Sequence, residues 1–529
     1  MQIVRIEEGS TERPSAEIIG AKAANLAHMA SLGLSVPPAF VLPIGLCAAI
    51  IRGDPQAKRE LTKGLREGLE FLETVTGRKL GGRRSPLLVS VRSGAARSMP
   101  GMLETVLNAG CTLSAVHGLV RLTGHPKFAF DCRRRFLESY ASVVLGLDSS
   151  LFAKRLAGFL AVEGANNEHA LDSEAIERLG LAYQQMIEGE DCLVPEDPME
   201  QLEAAAQAIY RSWASDRAST YRRLEHLEYL KGTAVTIQAM VYGNRGLSSG
   251  AGVAFSRDPS TGAAKPVIDF LFESQGEDVV SGSRDPETES AIARSMPDLE
   301  LQLRQTLARL EREFADVQDV EFTIEEGKLW ILQTRAAKRT PLAALRFAID
   351  FVNEKLITPA EALQRLEGVK LDALESRRMV EAGEPAAQGT GASAGIAVGR
   401  AAFDTASAER ITAGGDPVIL MRPDTNTADV AGFAVSSGIV TAVGGRTAHA
   451  ALVARQMGKP CIVGCAALRI DVAGKCGELG KDVIHEGDWM SINGETGAIY
   501  VGRCEILSER PEAELAELER WRRLHHKSS

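Results

Sequence analysis

A histidine, His449, lies in a stretch of small residues, GGRTAHAALVAR, that spans residues 444–455. The residues after Thr447 favour a helix with Thr447 as its N-cap, and Gly458 is typical of the C-terminal cap. His449 would then lie in the first turn, where backbone N–H groups lack helical partners and the helix dipole favours negative charge. A phosphoryl group on the imidazole would be stabilised there, and the small neighbours would leave room for a bulky reactant.

Two other interpretations of His449 have to be weighed. One is an ordinary surface histidine at a helix start. The other is a metal ligand, which is disfavoured because no second histidine or cysteine stands at ligand spacing. The eight cysteines are scattered, and the closest pair, Cys461 and Cys465, has no second pair to complete a zinc site. They are interpreted as reduced, mostly structural cysteines of a cytoplasmic protein.

A second group of side chains could bind a metal ion and phosphates. Residues 316–335 have the pattern of a β-hairpin. If the hairpin turns through three residues, 325–327, strand alternation places four polar side chains on one face, namely Asp319, Glu321, Gln333 and Arg335. Hard oxygen ligands next to an arginine suit Mg²⁺ and a polyphosphate. The alternative is a charged face that only contacts solvent.

The elements that must position these groups form a large α+β region, a helical hinge and a compact α/β domain. The pattern predicts a helix over 17–32, a strand over 87–95, mostly helices over 129–230 and 341–375, a linker rich in glycine and alanine over 381–400, and a charged helix in the tail. Glycines 389, 391 and 395 give the linker many backbone conformations. Such a linker would allow at least two arrangements of residues 400–505 relative to residues 1–340.

Charge and hydropathy argue against several classes of partner. The net charge is −10 and no long basic run precedes the tail, which disfavours a nucleic-acid backbone as the main partner. The first ten residues, MQIVRIEEGS, contain no apolar signal core. No uninterrupted apolar run reaches the ~18 residues of a membrane helix. A local basic site for phosphates is compatible with all of these observations.

Several longer motifs resemble one known family. The stretch GGRTAHAALVARQMGKPCIVG is similar to the phosphohistidine motif of the phosphoenolpyruvate-utilising enzymes, and EGDWMSINGETGAIYVG resembles the end of their swivelling domain. SVRSGAARSMPGMLETVLNAG, AFSRDPSTG, SQGEDVVSG and DVEFTIEEGKLWILQTR look like the pyruvate phosphate dikinase family. The resemblance implies an ATP-grasp nucleotide-binding region over 1–340 with a helical insertion at about 115–230, a helical hinge and linker over 341–388, a swivelling phosphohistidine β/β/α domain over 389–505, and a C-terminal helix over 506–529.

The resemblance also assigns site residues one by one. It implies a catalytic group of His449, Thr447 and Arg335, and metal ligands at Glu321, Gln333 and Asp319. The positions that would bind ATP are Lys22, Arg92, Gly101 in the loop 98–102, Gln238, Met240, Glu277 and Arg335, with Arg135 near the phosphates. Some positions depart from the family pattern: Ala21 and Ala23 flank Lys22, and Arg446 and Ala448 replace the methionine and serine usual in the dikinase.

The resemblance implies a reaction with ATP as substrate and Mg²⁺ as cofactor. The pyrophosphoryl group of ATP passes to His449, AMP leaves, and inorganic phosphate takes the terminal phosphoryl group. The family's remaining step transfers the phosphoryl group to pyruvate on a barrel that needs roughly 200 or more residues. Only residues 506–529 follow Glu505, so pyruvate or phosphoenolpyruvate is expected on a missing or separate domain. A homodimer is a further expectation. The alternatives are a phosphotransferase with another acceptor and a non-catalytic regulatory relative.

Overall fold

In the computed structural model the chain forms two compact units. The first contains residues 1–249 and 323–334, and the second contains residues 250–322 and 335–529. The structure describes residues 2–97, 99, 103–165, 167–281, 289–369, 374, 376–380, 383–425, 429–446 and 448–528. The predicted combination of α+β and α/β domains is confirmed.

The first unit combines short strands with a large set of helices. Its strands are β1 (Val4–Ile6), β2 (Ala39–Leu42), β3 (Lys79–Leu80), β4 (Pro86–Leu87), β5 (Val89–Ala95), β6 (Thr105–Ala109) and β7 (Thr233–Ala239). Its helices are α1 (Ala16–Ile19), α2 (Ala21–Ser31), α3 (Cys47–Ile51), α4 (Pro55–Thr76), α5 (Leu113–Thr123), α6 (Pro126–Tyr140), α7 (Ser149–Glu163), α8 (Ser173–Gly189), α9 (Pro198–Ser212) and α10 (Asp216–Leu224).

A five-stranded sheet in the order β1-β2-β7-β5-β6 is the framework of this unit. Strand β7 pairs antiparallel with β5, so that Ser90 lies opposite Gln238 and Arg92 opposite Thr236. All seven residues of β7 are buried, as expected for a central strand covered on both faces. This register brings Arg92 and Gln238, from distant parts of the sequence, to neighbouring positions.

The helix predicted over 17–32 is divided in two. Gly20 has a φ of 80°, which lies outside the helical region, so α1 ends there and α2 begins at the next residue. A Cβ atom at Gly20 would lie 2.2 Å from the carbonyl oxygen of Gly94, so only glycine fits this close approach. The single helix is therefore wrong, and its division places Lys22 in the first turn of α2.

The second unit is built mainly on a four-stranded sheet and an eight-stranded sheet. Its strands are β8 (Gly250–Phe255), β9 (Val267–Phe272), β10 (Gln318–Glu325), β11 (Lys328–Ala336), β12 (Ser376–Val380), β13 (Ala387–Gln388), β14 (Thr390–Ser393), β15 (Ile396–Ala402), β16 (Val418–Arg422), β17 (Gly438–Thr441), β18 (Cys461–Val463), β19 (Leu468–Asp471), β20 (Cys476–Leu479), β21 (Asp482–His485), β22 (Trp489–Asn493), β23 (Ala498–Val501) and β24 (Glu505–Glu509). Its helices are α11 (Gly276–Ser281), α12 (Glu289–Ser295), α13 (Pro297–Phe314), α14 (Pro341–Asn353), α15 (Pro359–Arg365), α16 (Thr405–Ala413), α17 (Val430–Val435), α18 (His449–Met457) and α19 (Glu512–Ser528). The four-stranded sheet has the order β11-β10-β8-β9. The distal part of the hairpin β10–β11 belongs to the first unit.

The predicted hairpin at 316–335 is confirmed, but its turn is shorter than expected. Strand β10 includes Glu325 and strand β11 begins at Lys328, which leaves Glu326 and Gly327 as the turn. Both have positive φ, 48° and 77°, as a type I′ turn requires. The three-residue turn is therefore wrong, because Glu326 itself adopts the left-handed conformation.

An eight-stranded sheet in the order β13-β23-β22-β15-β16-β17-β18-β14 forms the centre of the C-terminal part. Strands β15 to β18 pair in parallel, and α16, α17 and α18 lie in the crossover connections that parallel pairing requires. The expected free linker over 381–400 is wrong, because β13, β14 and β15 occupy residues 387–402. A Cβ atom at Gly391 would lie 2.4 Å from the carbonyl oxygen of Glu495, so this glycine permits close packing of two backbones.

The segments on either side of this sheet pair with each other. Strands β12 and β24 are antiparallel, with Ser376 opposite Glu509 and Val380 opposite Glu505. The prediction that residues 506–529 form one helix is wrong in its first part, since β24 reaches Glu509 and α19 begins at Glu512. Trp521 of α19 is 2% exposed and packs in one core cluster with α14 and α15.

Within the described residues, no helix combines the length and apolarity needed to cross a bilayer. All eight cysteines are free thiols.

Candidate functional site

A cleft in the first unit collects four of the sequence-predicted residues. It is lined by side chains from α2, β5, β7 and β11, namely Lys22, Ala23, Leu26, Arg92, Ser93, Thr236, Gln238, Leu332 and Gln333. Lys22 lies at the second position of α2, whose first backbone N–H groups lack helical partners. A cation in the first turn of a helix, together with Arg92 on β5 in the same cleft, favours an anionic ligand.

Arg92 is held between two amide side chains. Its Nη1 lies 3.5 Å from Oε1 of Gln238, and its Nη2 lies 3.4 Å from Oε1 of Gln333. Gln238 in turn donates from Nε2 to the backbone carbonyl of Pro37 at 3.2 Å. Because neutral amides orient the guanidinium without neutralising it, Arg92 keeps its full positive charge for a ligand.

The base of the hairpin, in the second unit, carries a compact group of charges. Arg335 donates from Nε to Oδ2 of Asp319 at 2.8 Å, and Glu321 lies close enough to interact electrostatically with both. Asp319 is 1% exposed, and its Oδ1 has no hydrogen-bond partner among the described residues. Burial raises the pKa of the Asp319 carboxyl, and the positive charge of Arg335 opposes that shift.

This donor set fits a hard divalent cation. Asp319 and Glu321 supply carboxylate oxygens, which are ligands that Mg²⁺ prefers in proteins. The unpaired, buried Oδ1 of Asp319 is an acceptor for which a cation would compensate. The structure places Asp319, Glu321 and Arg335 together in the second unit, and it places Gln333 with Arg92 in the first.

His449 is the first residue of α18. The N-cap is Ala448, which makes no side-chain cap hydrogen bond, so the prediction of Thr447 as N-cap is wrong. The helix begins one residue later than expected, and Gly458 ends it in the left-handed conformation with a φ of 65°, as predicted. The imidazole thus lies beside the first N–H groups of α18, which have no partner within the helix.

The environment of the His449 ring favours its neutral form. The ring is half-buried, with the ring of Phe433 at 6.1 Å between centroids. Its Nδ1 is buried and has no hydrogen-bond partner in the described part of the chain. Burial lowers the pKa of the imidazole below its usual value, and Asp429 and Asp424 partly oppose that shift.

The other predicted residues are more dispersed. Met240 follows β7 and donates its backbone N–H to the Leu88 carbonyl, but it does not line the cleft. Glu277 is exposed on α11 in the second unit. Arg135 on α6 is buried and pairs with Asp131 and Glu168. Gly101 and Thr447 lie outside the described residues.

Sequence reasoning missed the charges that surround α18. Arg446 forms an ion pair with Asp269 of β9, and Arg455 is fully buried on α18. A signal for Arg455 is present in the sequence, because it lies four residues after the buried Ala451 and so on the apolar face of the helix. For Asp269 the sequence shows only an acid inside an apolar strand, whose partner depends on the fold.

Comparison with known proteins finds a matching domain family for the N-terminal part of the chain and another for the C-terminal part. The model of the pyruvate phosphate dikinase AMP/ATP-binding domain matches residues 57–300 and 288–352, and the model of the PEP-utilising enzyme mobile domain matches residues 414–497. The pyruvate, phosphate dikinase of Clostridium symbiosum is 40% identical over 511 residues, which cover 95% of this chain and 58% of the relative. The chloroplastic enzyme of Flaveria trinervia is 42% identical over 501 residues, covering 94% and 52%.

The chain spans about half the length of these curated relatives. The match to the nucleotide-binding domain covers more than half of the chain, and the match to the mobile domain includes His449. The chain therefore belongs to the pyruvate phosphate dikinase family of PEP-utilising enzymes.

Proposed function

We propose that the chain is an ATP-dependent phosphotransferase that phosphorylates its own His449 and releases AMP. The position of His449 carries the proposal: its half-buried ring lies at the first position of α18, burial favours its neutral form, and the first backbone N–H groups of the helix have no partner within the helix. A neutral imidazole is the nucleophilic form, and the helix N-terminus stabilises the phosphoryl group after transfer.

The first step forms one bond and breaks another. The Nε2 lone pair of His449 attacks the β-phosphorus of ATP, the bond from that phosphorus to the oxygen bridging to the α-phosphate breaks, and AMP leaves. The product is a pyrophosphoryl group on His449. An oxygen of inorganic phosphate then attacks the terminal phosphorus, and the bond from that phosphorus to the oxygen bridging to the β-phosphorus breaks. Pyrophosphate is released, and the β-phosphoryl group remains on His449 as phosphohistidine.

The cleft residues bind and orient the triphosphate in this proposal. Lys22 and the N-terminus of α2 approach the phosphate oxygens, and Arg92, held by Gln238 and Gln333, adds a bidentate donor. These donors are fixed before the reaction, so they stabilise the charge that develops on the phosphates without reorganising. Gly101, Met240, Glu277 and Arg135 are assigned to nucleotide binding only by the family resemblance.

Mg²⁺ is the proposed cofactor, with Glu321, Gln333 and Asp319 as its protein ligands. The ion would neutralise phosphate charge and polarise the phosphorus that His449 attacks. Arg335 forms an ion pair with Asp319 and thereby orients this carboxylate. Thr447, next to the histidine, is assigned to the catalytic group on sequence grounds alone.

The final acceptor is a separate part of the proposal. The names of the relatives specify pyruvate and phosphate, and pyruvate is therefore the acceptor that we propose for the phosphohistidine. A different acceptor, such as a small alcohol, would use the same first two steps. AMP and pyrophosphate formation distinguish both cases from a non-catalytic relative.

ATP labelled at the γ-phosphate or at the β-phosphate tests the proposal, because each label follows a different phosphoryl group. Without inorganic phosphate, γ-labelled ATP should label His449; addition of phosphate should remove the γ label as pyrophosphate, while a β label stays on the protein. His449→Ala should abolish labelling and retain ATP binding. His485→Ala is the matched control, because His485 is an exposed histidine of the same part of the chain. Equal labelling of the two variants would exclude His449 as the carrier.

A further inference from the structure

Helix α17 forms one wall around the imidazole of His449. The Phe433 ring on this helix is fully buried, and its centroid lies 6.1 Å from that of the imidazole, with the two planes inclined at 35°. Phe433 belongs to the same core cluster as the buried alanines of α18, so its own position is fixed by packing. The small side chains that flank His449 in the sequence offer little bulk to restrict the imidazole, whereas Phe433 supplies it.

Helix α17 is too short to be stable alone and depends on contacts at both of its ends. It has six residues, and an isolated helix of this length is not stable in water. At its N-terminal end the N-cap residue Asp429, which is buried, forms an ion pair with Arg422, with 3.2 Å between Oδ1 and Nε. Arg422 is the last residue of β16, so this ion pair joins the start of α17 to the central sheet.

The C-terminal end of α17 is bound by Lys459. The Nζ of this lysine donates to the backbone carbonyl of Ala434 at 2.5 Å and to that of Ser436, the C-cap residue. The last carbonyl groups of a helix lack partners within it, and a cation placed there also compensates the negative end of the helix dipole. Burial lowers the pKa of the Lys459 ammonium, so these two carbonyls replace part of its hydration.

Lys459 also connects α17 to α18. It directly follows Gly458, which ends α18, whereas His449 begins the same helix. Helix α17 is therefore held against this segment at two separate points, through Phe433 beside His449 and through its last carbonyls at Lys459. Two separate contacts fix one orientation between the helices, whereas a single contact would let α17 pivot.

We propose that α17 is the element that orients the His449 imidazole for reaction, and that Phe433 and Lys459 are its positioning residues. Phe433 packs beside the ring and restricts its rotation, and Lys459 keeps α17, and with it Phe433, against α18. The proposal rests on the proposed function of His449 and adds the side chains that align this nucleophile. One side of the imidazole is then covered by α17, and the reactant approaches from another.

The test compares variants of the two positioning residues in the full chain. Phe433→Leu removes the aromatic ring and retains an apolar side chain, Lys459→Met removes the donor, and Lys459→Arg restores one. Single-turnover labelling of His449 at saturating ATP should fall about tenfold in Phe433→Leu and in Lys459→Met, because a small misplacement of a reactant slows the reaction strongly. Lys459→Arg should label close to the wild-type rate, and the ATP affinity of all three variants should be unchanged.

Two control variants account for a general loss of stability. Phe403→Leu shortens another buried phenylalanine of the C-terminal part, which belongs to a different core cluster from Phe433. Lys475→Met removes a lysine that pairs with Glu486 at 3.2 Å. Both controls should label at the wild-type rate, and Phe403→Leu should lower the melting temperature about as much as Phe433→Leu does. An equal loss of labelling in Phe403→Leu would overturn the proposal.

Acylation by diethyl pyrocarbonate probes the His449 imidazole without ATP. The rate with this small reagent depends on exposure of the neutral ring and not on its alignment with a nucleotide. Mass spectrometry should show faster acylation of His449 in Phe433→Leu and Lys459→Met, and the wild-type rate in Lys459→Arg and in both controls. His117 on α5, which is exposed, is the internal reference.

The two measurements separate this proposal from the proposed function. Unchanged acylation of His449 in Phe433→Leu and Lys459→Met would refute the role of α17, even if labelling slowed. Undiminished labelling in both variants would refute it as well. A wild-type chain that ATP does not label, but whose variants show the expected acylation rates, would instead contradict the proposed function alone.

Discussion

The protonation state of His449 determines when it can act as a nucleophile. Burial lowers the pKa of the imidazole from its usual value of about 6.5, and the carboxylates of Asp429 and Asp424 oppose this shift without cancelling it. A lowered pKa means that the ring loses its proton at a lower pH than an exposed histidine does. The neutral ring is therefore the main form at neutral pH.

We expect the rate of His449 labelling to rise with pH and to reach its plateau at a lower pH than an exposed histidine would give. Single-turnover labelling between about pH 5 and about pH 8 measures the midpoint. Replacement of Asp429 by Asn should lower the midpoint further, because it removes a charge that favours the protonated ring. A midpoint above that of a free imidazole would contradict the assignment of burial as the dominant effect.

The hairpin carboxylate and amide should affect the reaction more than they affect nucleotide binding. Glu321→Ala and Gln333→Ala each remove one proposed oxygen ligand, so the labelling rate should fall roughly 100-fold, which corresponds to about 2.7 kcal/mol. ATP affinity, measured by calorimetry, should change less. Glu326→Ala, in the exposed turn of the same hairpin, is the control and should label normally. Normal turnover in both ligand variants would exclude them from the metal site.

Candidate site residues could be predicted from the sequence where a single short segment contains all of the evidence for them. The histidine at a helix start and the hairpin acids are visible in the sequence, because helix caps and strand alternation are local. The contact of Arg92 with Gln238 and Gln333 could not be predicted from local patterns, since it joins three separate strands. The same holds for Arg446 and Asp269, which are 177 residues apart.

At the scale of elements, the break at Gly20 positions Lys22. Gly20→Ala should displace the N-terminus of α2, because the residue has a φ of 80° and its Cβ would lie 2.2 Å from Gly94. We expect a lower melting temperature and an ATP dissociation constant raised roughly tenfold, or about 1.4 kcal/mol.

Gly33→Ala is the control that separates backbone strain from the steric contact with Gly94, since Gly20→Ala introduces both. Gly33 follows α2 and has a φ of 70°, but nothing lies within 4 Å of its Cβ position. This variant should lower the melting temperature through backbone strain and leave ATP affinity unchanged. Equal losses of ATP affinity in both variants would show that the Gly20 contact has no role of its own.

The glycine-rich segment shows where prediction of elements reaches its limit. Composition alone indicated a flexible linker at 381–400, but Gly389 and Gly391 lie in or next to strands, where a Cβ would meet backbone at 2.9 Å and 2.4 Å. A glycine can either give the backbone conformational freedom or permit close packing of two backbones. Which of the two applies depends on the segments that lie next to it in the fold. The hairpin, by contrast, was predictable because its turn carries Glu-Gly between alternating strands.

At the scale of the whole molecule, the proposed function assigns to this chain the two steps that precede transfer to pyruvate. We expect the 529-residue chain to convert ATP and phosphate into AMP and pyrophosphate without pyruvate, in an amount equal to the His449 present. Rapid quench with labelled ATP measures both products. Formation of ADP in place of AMP would contradict attack at the β-phosphorus.

The pairing of β12 with β24 has a consequence for any movement of the histidine domain. The chain enters this domain through residues 376–380 and leaves it through residues 505–509, and these two strands are hydrogen-bonded side by side. The strand that leaves is followed by α19, whose Trp521 is anchored in the core with α14 and α15. A domain connected by one flexible strand could rotate in any direction. Two hydrogen-bonded connecting strands would restrict its rotation to one main axis. His449 would then move along one defined path, so that each rotation would present the same face of the imidazole to its target.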